Sequence, residues 1–402
     1  MVLLLHFPAP LMLAIALRTL PILHFISHCF GYIFVPDNAK AVIDPRIPVL
    51  YNITTAQTLL PTDENPLTGY YISSFLTTTT GSQYYMVAGI LGTSEVTGYG
   101  FSILDLRTLE RVAYGNTTVY SASETASFNF TRDTFAMFGA DPANIAIAMR
   151  INATASREDG SQVPMALDLL VHASSPALYY GGTGAWMFVD APVYNFAFPA
   201  ATTSGWLRGL SSDLSMTDYA DAALQAIDPS ASFSWYDRIW GRLGLRDGNS
   251  TWFNLYLDDS ELILVTYLID ESSTSASSTR TPTHTRTRNI HIRPRRNSSA
   301  LTLEPVDVFE PDLSPDTVWT SPRSGLVYPQ HWELGIEGRG LLSIRSVLGD
   351  QEMFDPGRGG QSYFGFVTCE GVFDGVPVTG YGGVEVRFGS SVTGDVPGDL
   401  RG

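Results

Sequence analysis

The sequence predicts an all-β protein of two sandwich- or barrel-like domains joined by a short helical linker, and three observations carry that prediction. From Tyr70 onward, short runs rich in β-branched and aromatic residues alternate with Gly, Asn and Ser turns. A single stretch has a convincing helical pattern. It divides the strand-rich sequence into two blocks of similar character. Sheets of this length close on themselves or pack face to face, because open edges aggregate.

The elements follow in order. Residues 1–30, MVLLLHFPAPLMLAIALRTLPILHFISHCF, read as a secretory leader. A membrane anchor is the competing reading, but a span takes about 18 uninterrupted apolar residues, and prolines, His6, Arg18 and His24 interrupt this one. The first β domain is expected over 36–210, with strands in YYISSFLTTTT, YYMVAGILG, YGFSILDL and TVYSASETASFNF. NIAIAMRINATA and MALDLLVHAS flank a polar, acidic turn and predict a hairpin. The helix is MTDYADAALQAI, Met216–Ile227, with Thr217 as N-cap and Pro229 beyond its end, inside a linker over 211–230.

The second β domain is expected over 231–395. WFNLYLDD pairs with SELILVTYLI, HWELGIEG with GLLSIRSVL, and SYFGFVTCEGVF with GYGGVEVRF. Between strands lies a segment from Ser272 to Ser299 with six arginines. Its serine and threonine content, in an acidic chain, favours a disordered basic insertion over a nucleic-acid patch.

Composition narrows the function classes. The 402 residues suffice for a sizeable core, and 44% hydrophobic with 12% aromatic residues mark a globular chain. A formal charge of −16 repels nucleic acid and anionic membranes, so a small neutral or apolar partner is expected. Six N-x-S/T sequons, at Asn52, Asn116, Asn129, Asn152, Asn249 and Asn297, favour passage through the secretory pathway to a secreted or vesicular location. Leader removal would take Cys29 away, leaving Cys369 as a lone thiol read as a buried small hydrophobe.

Familiar catalytic signatures are absent: there is no G-x-G-x-x-G, P-loop, G-x-S-x-G or H-E-x-x-H. The glycines of YYGGTGAWMF, residues 179–188, precede a strand-like run, so no helix N-terminus is aimed at a phosphate. Of seven histidines, three lie in the leader and two in the basic segment, while His172 and His331 stand alone. Neither a metal nor a nucleotide cofactor is expected.

One polar residue stands out. In SFSWYDRIWG, residues 232–241, strand alternation puts Phe233, Trp235, Asp237 and Ile239 on one face and Ser234, Tyr236, Arg238 and Trp240 on the other. Burying a carboxylate on so apolar a face costs several kcal/mol unless it is paired, hydrogen-bonded or protonated. Two roles stay open for Asp237: a satisfied structural acid, or a proton-transfer and hydrogen-bonding group at a pocket wall.

SWYDRIWG resembles the W-x-D-x-x-W-G signature of the lipocalin-like CrtC/AttH superfamily, which includes carotenoid hydratases, kievitone hydratase and fungal intramolecular Diels-Alderases. Residues 181–207, 321–336 and 369–386 are similar, in order, to its G-S-G with P-x-x-x-T-x-G, its S-P-x-S-G…Y-P-x-x-W and its closing E-G…G-x-G-Y-x-E segments. Gly383 stands near where an aromatic is common, which would leave room beside Glu385. The resemblance implies two lipocalin-like β domains with a pocket at or near their interface, acting on polyenes or polyketide-derived compounds without metals or organic cofactors.

On that resemblance the leading expectation is an intramolecular [4+2] cyclase for a polyene polyketide or a polyketide–amino acid hybrid of the cytochalasan type. The protein would fold the substrate and hydrogen-bond the dienophile carbonyl. Trp186, Trp206, Trp235, Tyr236, Trp240 and Trp332 are the candidate pocket walls, and Asp237, Glu64 and Glu385 the candidate catalytic acids. A hydratase or dehydratase acting on a polyketide, isoprenoid or flavonoid-like compound is the alternative; it needs two proton-handling groups in the pocket, whereas a cycloaddition needs none. A non-catalytic carrier of an apolar ligand is a third.

Overall fold

The computed structural model describes residues 31–37, 43 and 46–388, apart from 121–126, 128, 132–134, 142–145, 157–161, 189–190, 209–222, 243–248, 259–261, 273–283, 295–300 and 356–359. The leader, the first part of the predicted helix, half of the basic segment and Asn297 lie outside the described residues.

A meander of β1 (Leu67–Thr77), β2 (Gln83–Gly92), β3 (Val96–Asp105) and β4 (Glu110–Tyr120) begins the first sheet. It continues through β5 (Phe130–Thr131), β6 (Phe135–Asp141), β7 (Ala146–Ser156) and β8 (Gln162–His172), with β7 and β8 forming the expected hairpin. Next come β9 (Leu178–Tyr179), a tight turn at Tyr180–Gly182, β10 (Ala185–Phe188), the long β11 (Ala191–Arg208), β12 (Gln225–Ala226) and β13 (Phe233–Gly241). Pairing runs β11–β13–β1–β2–β3–β4–β7–β8 and returns to β11, so the sheet closes into a barrel-like circuit. Among the described residues a single pair, Tyr114 with Ser156, joins β4 to β7.

The second sheet holds β14 (Asn249–Leu257), β15 (Leu262–Ser272), β16 (His284–Pro294) and β17 (Thr302–Pro311). A separate hairpin, β18 (Val318–Thr320) with β19 (Val327–Pro329), precedes β20 (His331–Ile336), β21 (Gly340–Ser346), β22 (Glu352–Asp355), β23 (Gly360–Phe373) and β24 (Val376–Arg387). This sheet also closes, because β21 pairs with β23 as well as with β20. Two curled sheets, each consuming its own edges, are the two lipocalin-like β domains that the sequence implied.

Three boundaries differ from expectation. Gln225 and Ala226, placed in the helix, form β12 against Leu207 and Trp206, and Ile227 is buried in the first core. Sheet pairing there outweighs the alanine-rich helical propensity. The described helix, α1, is instead the short Ile53–Ala56, whose N-cap Asn52 accepts a hydrogen bond from the Thr55 amide at 3.0 Å. The strand β13 belongs to the first sheet, between β1 and β11, rather than opening the second domain at 231.

The third difference is that His284–Pro294, expected to be disordered, is strand β16, paired with both β15 and β17. Its alternation explains this: Ile290 and Ile292 enter the second core, while His291 and Arg293 are buried on the other face.

Alternation sorts the interior into three cores. One face of each sheet encloses that sheet's own core, and the other faces meet in a third, aromatic-rich layer. Phe75, Tyr85, Trp235 and Phe233 come to this layer from the first sheet, and Trp252, Tyr256, Phe366 and Tyr381 from the second. Each such side chain contributes roughly 1.5–3 kcal/mol by leaving water. Residues 31–37 run along the same layer, where Phe34 is buried and Gln83 brackets the backbone of Tyr32 from both sides.

Candidate active site between the two sheets

The strand β13 feeds two cores. Tyr236 and Trp240 enter the first sheet's core, with the Tyr236 hydroxyl on Gln57 Oε1 at 2.6 Å and Trp240 stacked on Tyr194 at 5.5 Å. Arg238 shares that face, donating to the carbonyls of Ala56, Gly69 and Leu59. Trp235 and Asp237 face the second sheet, as the alternation predicted.

Asp237 is 6% exposed, and each of its hydrogen-bond partners is neutral. The Tyr180 hydroxyl donates to Oδ2 at 3.1 Å and the Trp235 indole N–H to the same oxygen at 3.2 Å. The Asn195 amide donates to Oδ1 in a short bond and to the Arg238 carbonyl at 2.9 Å. From the second sheet, the Trp252 indole donates to the Tyr180 hydroxyl at 3.1 Å. Burial pushes the Asp237 carboxyl up from 3.8 to about 7, the three donors pull the other way, and the charge of Glu385 adds to the rise. It therefore changes protonation near neutral pH.

Local sequence explains the placement of its partners. Tyr180 sits on a turn that needs left-handed backbone at Gly181, with φ 64°. The Gly181 amide donates to His291 Nε2 at 2.8 Å, which puts any neutral imidazole proton on Nδ1. The His291 and Tyr180 rings meet edge to face at 5.2 Å, and Trp186 stacks on Tyr180 at 6.1 Å. Asn195 is pinned through its backbone, its N–H to the Gly184 carbonyl and its C=O to the Tyr51 hydroxyl, both at 2.9 Å. Its side-chain oxygen, fully buried, meets no donor among the described residues.

Glu385 comes from β24, opposite Trp252 in the strand register, and is ion-paired with Arg387. Its charge acts on Asp237 and on the phenols of Tyr71 and Tyr85. The room expected beside Gly383 is filled: a Cβ there would run into the Tyr85 hydroxyl and Asn254 Oδ1.

Of the sequence candidates, Asp237, Glu385, Trp186 and Trp235 therefore share the inter-sheet layer. Tyr236 and Trp240 wall the first core, and Trp332 packs on Phe253 at 5.5 Å in the second. Trp206 lies at the far end of β11, half-buried beside β12. Glu64 is exposed in the turn before β1, and only its carbonyl is engaged, by Arg242 at 3.1 Å. Strand alternation separates Tyr236 and Trp240 from Asp237, while distance along the chain separates Trp206 and Glu64 from it.

Sequence reasoning missed Tyr180, Asn195, Trp252 and His291. Asn195, one polar residue in the apolar run APVYNFAF, carried the same signal as Asp237, whereas His291 was set aside with the arginines around it. Cys369 is buried in the second core, and burial raises its thiol. Among the described residues no three His, Cys, Asp or Glu side chains converge as a metal site. Asn52, Asn129 and Asn249 are exposed and Asn116 half-buried, while Asn152 lies on β7.

No protein-family model matches the chain. Kievitone hydratase of Fusarium solani subsp. phaseoli is 27% identical over 365 residues, covering 90% of this chain and 93% of that protein. Dehydratase asqC of Emericella nidulans is 25% identical over 365 residues, covering 89% and 94%. The crystal structure of kievitone hydratase from Nectria haematococca superposes with a TM-score of 0.69 at 26% identity, covering 89% of this chain and 98% of that one. A putative AttH of Nitrosomonas europaea shares the fold with a TM-score of 0.63 at 17% identity, covering 86% and 98%.

Proposed function

We propose that this chain, a lipocalin-like AttH-branch enzyme related to kievitone hydratase, adds water to, or removes it from, a small apolar molecule bound between the two sheets. One observation carries the reading. Asp237 is a carboxyl buried among neutral donors, raised to about 7, beside an Asn195 amide oxygen that no donor among the described residues meets.

Hydration delivers a proton to one carbon of a double bond and a water oxygen to the other. Protonated Asp237 supplies the proton. Asn195 Oδ1 accepts a hydrogen bond from the entering water, whose surplus proton returns to the Asp237 carboxylate. One C=C bond and one water are consumed, and one C–H and one C–O bond form. Dehydration runs the same steps backwards, with Asp237 protonating the departing hydroxyl. Trp235, Trp252 and Tyr180 hold the carboxyl in place and exclude bulk water. Two curated relatives named for water chemistry, each matching about nine tenths of the chain, support this reading.

The [4+2] cyclisation of a polyene is the second reading. It is favoured by the aromatic wall of Trp186, Tyr180, Trp235 and Trp252, which suits a folded apolar chain. The two separate by mass. Deleting the gene in its producing organism should accumulate a metabolite that differs from the normal product by one water. An accumulated isomer of the product would replace hydration with cyclisation, and an unchanged metabolite profile would leave a carrier.

A further inference from the structure

The inter-sheet layer has a second polar end that the water chemistry leaves unused. Tyr71 lies directly opposite Asp237 in the pairing of β1 with β13, which sets their Cβ atoms about 4.5–5.5 Å apart. Its ring meets Trp252 edge to face at 5.6 Å and stacks on Phe364 at 5.8 Å. Tyr85, from β2, points its hydroxyl at the Gly383 backbone of the second sheet. The hydroxyls of Tyr71, Tyr85 and Ser73 lie together, with Tyr71 and Ser73 turned as donors toward the Tyr85 oxygen in loose contacts, while among the described residues the Tyr85 hydroxyl finds no acceptor of its own. Ser73 is already engaged by the Asn254 amide at 3.4 Å.

Burial, reinforced by the Glu385 charge, raises both phenols, so they stay protonated donors through the physiological range. A buried donor left without an acceptor costs about 1–3 kcal/mol, and here it is the Tyr85 hydroxyl, with the Tyr71 hydroxyl turned toward it from behind. A carboxylate is a poor occupant, because Glu385 would repel it. A neutral acceptor fits, and one that gains negative charge during reaction fits best.

We infer that Tyr71 and Tyr85 form a subsite for the carbonyl oxygen of a conjugated ketone, whose double bond then reaches toward Asp237. This rests on the proposed water chemistry for the location of the reacting carbon. It adds the substrate class: an α,β-unsaturated ketone, or the β-hydroxy ketone related to it by one water. Proton movement at Asp237 would change the charge on the carbonyl oxygen, and the phenol pair would meet that charge.

The test is a binding measurement that needs no turnover. Quenching of tryptophan fluorescence would be titrated with trans-chalcone and with its carbonyl-free counterpart 1,3-diphenylpropene. Chalcone should bind about tenfold or more tightly, as one or two hydrogen bonds of ordinary strength imply. Tyr71→Phe and Tyr85→Phe should each remove most of that preference while leaving 1,3-diphenylpropene unaffected. The infrared carbonyl stretch of bound chalcone should move to lower frequency, and each Phe variant should reverse part of the shift. Gly383→Ala, which must push the Tyr85 hydroxyl and Asn254 Oδ1 aside, should act like Tyr85→Phe with both phenols retained. Equal affinity for the two probes, no bound chalcone, or variants that weaken both probes alike would overturn the subsite. If the ketone preference stands but the deletion strain accumulates an isomer, the water chemistry falls and the subsite survives.

Discussion

Asp237 and Glu352 are both buried carboxylates beside the junction of the two sheets, and they are held in opposite ways. Glu352 is fully buried and accepts from Ser321, Ser324 and the Tyr328 hydroxyl, with the Arg323 guanidinium at 3.4 Å. Arg323 and Arg111 also share Asp350, and Arg111, reaching from β4, donates to the Glu352 carbonyl at 2.6 Å. That cluster ties the sheets together. Asp237 has comparable burial and as many donors, but no cation among its hydrogen-bond partners. Glu352 thus serves as a tie between arginine and hydroxyl donors, whereas Asp237, facing only neutral dipoles in a dry layer, has its carboxyl raised toward neutrality.

The largest expected effect sharpens that contrast. Asp237→Asn keeps the shape and the Asn195, Tyr180 and Trp235 cage, and should lower turnover about 10²–10⁴-fold, the usual range for a general acid–base group, with an unchanged circular dichroism spectrum. Normal turnover would place Asp237 with Glu352 as a structural acid.

Glu352→Ala should do the reverse. Removing the carboxylate leaves three hydroxyls without their acceptor, while Arg323 keeps Asp350, so stability should fall by about 3 kcal/mol or more in urea unfolding, while the activity of the remaining folded protein is kept.

A comparable shift should follow pH. The Asp237 carboxyl is raised in the folded state, so the stability it confers is fully present below about pH 3.8 and is lost as pH rises through about 7. The full displacement is worth up to ~4 kcal/mol. Wild type should therefore lose stability relative to Asp237→Asn between pH 4 and pH 8; a constant difference would mean that Asp237 titrates normally.

Asn195→Ala removes one donor from the carboxylate and should move the Asp237 titration upward by an amount worth about 1–3 kcal/mol, seen as a shifted limb in the pH–rate profile. The smallest effect belongs to Glu64→Gln, an exposed turn residue, where stability should change by less than about 0.5 kcal/mol and turnover should not change.

Much of the fold was legible because strand signals are local. Alternation in SFSWYDRIWG assigned every side chain of that strand to its correct face, and the paired runs around β14, β20 and β23 formed the expected hairpins. Where local signals compete, reading failed. MTDYADAALQAI has helical composition, yet its last residues join a sheet edge, and the arginines of the basic segment hid the Ile290 and Ile292 alternation that makes β16 a strand. Among the site residues, Asp237 was found because a charge on an apolar face is anomalous within ten residues of sequence. Tyr180 and Trp252 carry no such anomaly, since a tyrosine and a tryptophan in apolar runs look like any core residue.

The sequence by itself determined an all-β chain in two blocks, the two faces of the Asp237 strand and the presence of a carboxylate on an apolar face, because each depends on a period of two residues and on neighbours a few positions away. Only the tertiary structure decided that this strand sits between β1 and β11 in the first sheet, and that Asn195, Tyr180 and Trp252 cage its carboxyl while Tyr71 and Tyr85 lie beside it on the same face of that sheet. Asn195, Tyr71, Tyr85 and Tyr180 come from β11, β1, β2 and the turn before β10 of the first sheet and Trp252 from β14 of the second, so the pairing of strands remote in sequence and the packing of one sheet on the other assemble the site together.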